Sequence, residues 1–134
     1  MSQENIEIVK HFFEAVAGED WVAAEGLFDP ECQIDDFDMP DANGYQGHQG
    51  FFDWIAQWDE AWKHWEAKDL DIRPLAGERV IALFTVTARG RSSGVELSRR
   101  DSMIYGLHGG KIRQLEYYNE QQRGLALEAA GLSE

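Results

Sequence analysis

The spacing of apolar residues changes once along this chain, near residue 65, and that change limits the folds open to it. Before it, apolar residues recur at intervals of three and four, the period of an α-helix. After it they alternate, the period of a β-strand. Helices gathered at the front and strands behind predict an α+β fold, with the helices packed on one face of an antiparallel sheet.

Residues 2–17 carry Ile6, Val9, Phe12, Phe13 and Val16 on one helical side, with Ser2 as a cap and Glu4 in the first turn, where the helix dipole favours an acid. Gly18 is expected to end this helix. Asp20 caps a second, short helix to about Phe28, with Trp21, Ala24 and Leu27 on one side, and Pro30 stops it. Residues 31–38 read as a strand with Cys32, Ile34, Asp36 and Asp38 on one face. Pro40 and Asn43-Gly44 mark a loop. A third helix is expected over 48–64, with Phe51, Trp54, Ile55, Trp58 and Trp62 in helical register. Strands follow near 66–75, 79–91, 94–107 and 111–119, with turns close enough for antiparallel hairpins. A short C-terminal helix over about 120–130 ends at Gly131. A strongly curved sheet under such helices leaves a hollow suited to a small ligand.

Charge narrows the partners. Asp and Glu number 25 against 12 Lys and Arg, a formal charge of -13. A surface of that sign repels a phosphate backbone and an anionic bilayer, so neither nucleic acid nor membrane is expected as a partner. No apolar run approaches the ~20 residues that span a bilayer. The start of the chain lacks the basic and apolar stretches of a secretory signal, and Cys32 is the lone cysteine, so the expected compartment is the cytoplasm. The 134 residues are expected to form one domain, 1–134.

Several groups of side chains have a chemistry of their own. Trp54, Trp58 and Trp62 fall at i, i+4 and i+8 of the third helix, with Trp65 just beyond. They either pack the helix on the sheet or offer a flat wall to a ring-shaped ligand. A buried indole N–H needs an acceptor, which Asp36 or Glu116 can supply. Arg99, Asp101, Met103 and Tyr105 share one strand face, as an Arg–Asp surface or dimer pattern or as a polar lining. His48 stands at the entrance of the third helix. Neither HxH nor HExxH occurs, so no metal and no cofactor is expected. Asp35, Asp36, Asp38 and Asp41 lack the calcium-loop pattern and read as a solvated acidic rim.

The order of elements and a series of strings resemble the SnoaL-like branch of the nuclear-transport-factor-2-like superfamily. The strings are Val9–Phe13 with Gly18-Glu19-Asp20, Tyr45–Gly50 at the third helix, Gly90–Glu96, Gly110-Lys111-Ile112 before Glu116-Tyr117-Tyr118, and Ala129–Leu132. The resemblance implies a cone-shaped α+β fold, with about three N-terminal helices on a strongly curved, mostly antiparallel sheet and a short C-terminal helix. It also implies a homodimer through the sheet and a small organic molecule as ligand. Function is expected to be either cofactor-free acid–base catalysis of isomerase, cyclase or dehydratase type, or non-catalytic binding or homodimerisation. The fold alone does not choose between them.

Residue by residue, the chemistries within that superfamily match unevenly. Ketosteroid isomerase needs a carboxylate base and an oxyanion hole made by a phenol and a protonated carboxyl. Asp36 falls at the base, but Phe12 falls where the phenol would be. Ser102 falls at the second carboxyl, with Asp101 beside it on the opposite strand face. The Arg-x-Asp element of limonene epoxide hydrolase falls on Thr85-Val86-Thr87, which does not match. Scytalone dehydratase needs histidines and tyrosines to which His48, Tyr45 and Tyr105 do not align. A SnoaL-type cyclase needs only an acid, which Asp36 or Asp101 supplies. The expected site is therefore Asp36 and Asp101 as catalytic acids, with Trp54, Trp58, Trp62, Met103, Tyr105, Glu116 and His48 as ligand contacts.

Overall fold

A computed structural model describes residues 2–38 and 44–132. The expected cap by the Ser2 side chain and the expected loop at Pro40, Asp41 and Asn43 lie outside what it describes. Helix α1 runs Ser2–Ala17 and α2 Trp21–Glu25, and strand β1 runs Phe28–Asp36. A two-residue strand β2, Tyr45–Gln46, leads into α3, Gly47–Ala61. Strands β3 (Trp62–Leu75), β4 (Arg79–Gly90), β5 (Glu96–His108) and β6 (Lys111–Tyr118) follow, then a 3-10 turn at Glu120–Gln122 and α4, Arg123–Ala130. None of the described helices is long and apolar enough to cross a membrane.

The sheet order is β2-β1-β6-β5-β4-β3, so this is the α+β cone expected from the change of period, with a curved, unclosed sheet. All pairings are antiparallel except β1 with β6. Register shifts in β1, at Phe28/Gln33, in β3, at Lys63/Glu66 and Lys68/Asp71, and in β5, at Gly106/Leu107, are irregularities that let a long sheet bend.

The inner face carries the main core. Val80, Ala82, Phe84 and Val86 of β4, Ile34 of β1 and Leu115 of β6 share that core with Phe12 and Phe13 of α1 and Phe51 and Trp54 of α3. The outer face is not bare. Ile81, Leu83, Ile104 and Tyr118 form a second cluster under Ala126 and Ala130 of α4. The helices therefore cover both faces, a correction to the expectation that they pack on one.

Other boundaries also moved. Helix α2 stops at Glu25, and Phe28, expected at its end, opens β1 instead, because Ile112 donates its N–H to Leu27 O at 2.8 Å and draws the chain into the sheet. The left-handed residue after α1 is Glu19, with φ of 53°, rather than Gly18. The third helix ends three residues before its expected limit. Trp62 takes extended φ/ψ of -131°/147° and pairs with Gly90, so it belongs to β3 and not to the helical stripe. Strand β2 sits against α3 only because Gly50 has no side chain: a Cβ there would lie 2.9 Å from the Tyr45 carbonyl carbon.

Candidate functional site

Asp36 is the last residue of β1, and its alternation with Ile34 turns it inward, where it is 1% exposed. Trp54 and Trp58 stand one helical turn apart on α3, so both indoles reach the same point. Trp54 Nε1 donates to Asp36 Oδ2 at 2.7 Å and Trp58 Nε1 donates to the same oxygen at 2.8 Å. The Asp38 backbone N–H donates to Oδ1 at 3.0 Å. Burial pushes the Asp36 carboxyl above its usual range, and the two indoles and the backbone N–H pull the other way without cancelling it. The carboxylate is thus the anchor of two aromatic walls, one of the two acceptors that the sequence offered for those indoles.

A second carboxylate lies deeper along the sheet. Asp101 on β5 is fully buried and accepts from Arg99 through Nε at 2.9 Å and Nη2 at 2.8 Å. The Tyr117 hydroxyl donates to Asp101 Oδ2 at 2.6 Å. Arg99 also reaches Asp38 Oδ2 at 3.0 Å, and Asn119 Nδ2 donates to Asp38 Oδ1 at 3.0 Å. Burial works to lower the Arg99 pKa, but the carboxylates of Asp101 and Asp38 outweigh it and hold the guanidinium above its ordinary value. Burial, then the adjacent Asp101 charge, keeps the Tyr117 hydroxyl protonated well beyond the normal phenol range. Asp36 and Asp38 therefore lie inside a network, which corrects their reading as part of a solvated rim. Asp41 lies outside the described residues.

Between helices and sheet is a chamber of about 50 Å³. Trp54, Ile55 and Trp58 of α3 form one side, and Phe12, Phe13 and Val16 of α1 another. Phe84, Val86, Met103 and Tyr117 form the sheet side, and Trp65, Glu66 and Ala67 of β3 complete it. A water takes ~30 Å³ of liquid and a cavity known to hold benzene measures ~150 Å³. The chamber therefore fits a small substituent, and a whole ring only if side chains move. Phe13, Val16, Trp65, Glu66 and Ala67 are also walls of an outer cleft of about 790 Å³. Ala17, Glu19, Trp21, Asp59, Lys63, His64 and Arg91 form the rest of that cleft. Aromatic rings run from cleft to chamber: Trp21 to Trp65 at 6.0 Å, Trp65 to Trp58 at 6.0 Å, and Trp58 to Tyr117 at 5.3 Å.

Of the residues expected at the site, Trp54, Trp58 and Met103 are in the chamber wall. Asp36 and Asp101 stand behind it, joined to it through the indoles and through Tyr117. Tyr105 is fully buried behind Phe12 and donates to Met103 Sδ at 3.5 Å. Three others are placed elsewhere. Glu116 pairs with Ile104 on the outer face, beside Tyr118, whose hydroxyl burial and the Glu116 charge push up to about 12. Trp62 is half-buried opposite Gly90 and is in neither wall. His48 holds Phe28 O at 2.9 Å and lies 3.5 Å from Glu25, fastening α3 to β1. These three are corrected as chamber contacts. For Glu116 the reason is strand alternation, and for Trp62 the early end of α3.

Tyr117, Glu66, Ala67 and Trp21 were not among the expected ligand contacts, and Trp65 was singled out only as one of the tryptophans. Tyr117 was recoverable, since alternation with Glu116 sets one of the pair inward. The run Trp65-Glu66-Ala67 was not. Three successive residues line one space because β3 is bulged there, with His64 at φ of 54°. Among the described residues, no group of His, Cys, Asp or Glu is arranged to hold a metal ion.

The inner face does not reproduce the ketosteroid isomerase set. Asp101, not Ser102, faces inward, and its neighbours Arg99 and Tyr117 both donate to it, so it serves as an acceptor and not as a donor to an oxyanion.

Comparison with known proteins agrees with this architecture. A candidate polyketide cyclase from Xanthomonas campestris pv. campestris superposes with a TM-score of 0.79 at 16% identity, over 93% of this chain and 96% of that one. An NTF2-like protein from Burkholderia xenovorans LB400 gives 0.77 at 21% identity, over 97% of both chains. TerC, co-crystallised with polyporic acid, gives 0.77 at 14% identity, over 95% of this chain and 97% of that one. No curated protein matches the chain significantly. The sequence model of the SnoaL-like domain matches residues 9–115, and the chain belongs to that family.

Proposed function

We propose that this chain binds a small, ring-bearing organic molecule, with the ring in the outer cleft against Trp21 and Trp65 and an apolar group in the inner chamber. The observation that carries this reading is the pair of indoles fixed by one buried carboxylate, which builds a rigid apolar wall beside open space. The co-crystallisation of TerC, a protein of the same fold, with polyporic acid supports it by analogy. Titration of tryptophan fluorescence with benzyl alcohol and 2-naphthol tests it. A saturable change is expected in the natural protein. It is expected to be lost in Trp65→Ala, which removes the ring shared by the cleft and the chamber. No saturable response to either compound overturns the reading.

Acid–base turnover without a cofactor is the second reading, with Asp36 as the base. Two observations favour it. Burial raises the Asp36 carboxyl above its ordinary range, and its two indole donors, Trp54 and Trp58, are themselves in the chamber wall. Asp101 then acts through Tyr117, as a positioning group. Asp36→Asn abolishes turnover on this reading, and retained turnover removes it. We carry the homodimer forward as a proposal as well. The part of the outer face beyond α4, with Thr85, Thr87, Ser98 and Arg100, is the surface it would use, and light scattering at micromolar concentration reads it directly.

A further inference from the structure

The charge of the ligand can be argued from the neck between chamber and cleft, if the chamber is a binding site as proposed above. Glu66 is the one ionisable carboxylate in the chamber wall, and it faces the cleft as well. It has no hydrogen-bond or ion-pair partner among the described residues, whereas the nearby Asp59 accepts from Trp65 Nε1 at 3.0 Å. Trp58 and Trp65 line the chamber with it, Trp21 and Trp65 line the cleft with it, and indole faces attract cations.

The cations of the region stand further out. Lys63, His64 and Arg91 line the cleft and not the chamber, and Arg91 is held by the backbone carbonyl of Asp59. Glu19, Asp59 and Glu66 line the same cleft, so the cleft as a whole carries no positive excess. At longer range the formal charge of -13 draws cations toward the molecule and repels anions.

We propose that the site selects an organic cation: a ring carrying a protonated amine, with the ammonium between the Glu66 carboxylate and the Trp65 face. A carboxylate ligand would place its charge against Glu66 and against the negative faces of the indoles. A neutral ligand would gain nothing from the Glu66 charge.

Three compounds with one ring and different charges test this: benzylamine, benzyl alcohol and benzoate, each titrated by calorimetry into the natural protein and into Glu66→Gln. Benzylamine is expected to bind about tenfold more tightly than benzyl alcohol, the factor that ~1.4 kcal/mol of ion pairing and cation–π attraction gives, with benzoate the weakest. Glu66→Gln, at an exposed position, is expected to fold normally by near-UV circular dichroism. It should lose the advantage of benzylamine while keeping its affinity for benzyl alcohol. Equal affinities for benzylamine and benzyl alcohol overturn the charge selection and leave the apolar site standing. An advantage unchanged in Glu66→Gln overturns the role of Glu66. Absence of binding by all three, together with no fluorescence response, overturns the binding site and this inference with it.

Discussion

Replacing Trp58 by Phe separates the indole N–H from the ring that carries it. The N–H donates to Asp36 Oδ2 at 2.8 Å inside a site that is 1% exposed. A hydrogen bond to a charged group contributes about 1.5–3 kcal/mol net. The smaller ring also leaves unfilled volume beside the chamber, for which about 1 kcal/mol is reasonable at ~24 cal/mol per Å³. The expected loss is about 3 kcal/mol, which lowers the melting temperature of a domain of this size by roughly 10 °C. Urea unfolding at pH 7 reads the free energy. Because packing and hydrogen bonding both contribute, the decisive quantity is the coupling with Asp36. In an Asp36→Asn background the acceptor is a neutral amide oxygen, worth about 1 kcal/mol less per bond than a carboxylate. Trp58→Phe should then cost about 1 kcal/mol less than in the natural protein. Additivity within about 0.3 kcal/mol would refute the anchor, because uncoupled sites add to that tolerance.

Tyr117→Phe removes the donor 2.6 Å from Asp101 and should cost about 1.5–3 kcal/mol in urea unfolding while leaving benzyl alcohol binding intact, since the ring remains in the wall. Gly50→Ala places a Cβ 2.9 Å from Tyr45 backbone and should cost about 1–3 kcal/mol, with hydrogen exchange accelerating at β2. Asp36 also gives a pH signature. Its folded pKa is raised above 3.8, so the folded state holds the proton more tightly than the unfolded state. Its contribution to stability is complete below 3.8 and is lost as pH rises through the folded pKa. The stability of the natural protein relative to Asp36→Asn should therefore be greatest in acid and should fall toward neutral pH. A difference independent of pH contradicts the shift.

How much of this was legible in the sequence depends on what kind of information each residue carries. The change of period near residue 65 held the fold class, because one face of each element must be buried and the spacing records which. The inward turn of Asp36 was legible by alternation with Ile34, and the need of a buried indole for an acceptor pointed to Asp36 or Glu116 without choosing between them. Long-range pairing was not legible. Nothing local says that β1 lies parallel to β6, or that α4 crosses to the outer face to cover Ile81 and Leu83. The end of α3 was misplaced because Trp62 continues the helical spacing while its backbone is taken by Gly90 of β4. The neck of the site was hidden for a similar reason, since a bulge at Lys63/Glu66 sets Trp65, Glu66 and Ala67 around one space in a way no period describes.

Indole N–H resonances in a nitrogen–proton correlation spectrum report on Trp54 and Trp58 one by one, once single Trp→Phe variants have assigned them. With Asp36 as their shared acceptor, both signals should exchange slowly with water, and both should move together when Asp36 is changed to Asn. On saturation with benzylamine, the Trp65 and Trp21 signals should shift and ligand protons should show nuclear Overhauser contacts to Trp21, Trp65 and Val16. Fast exchange of both indoles, or ligand contacts confined to α4 and the outer face, would contradict a carboxylate-anchored aromatic wall built to receive a ligand.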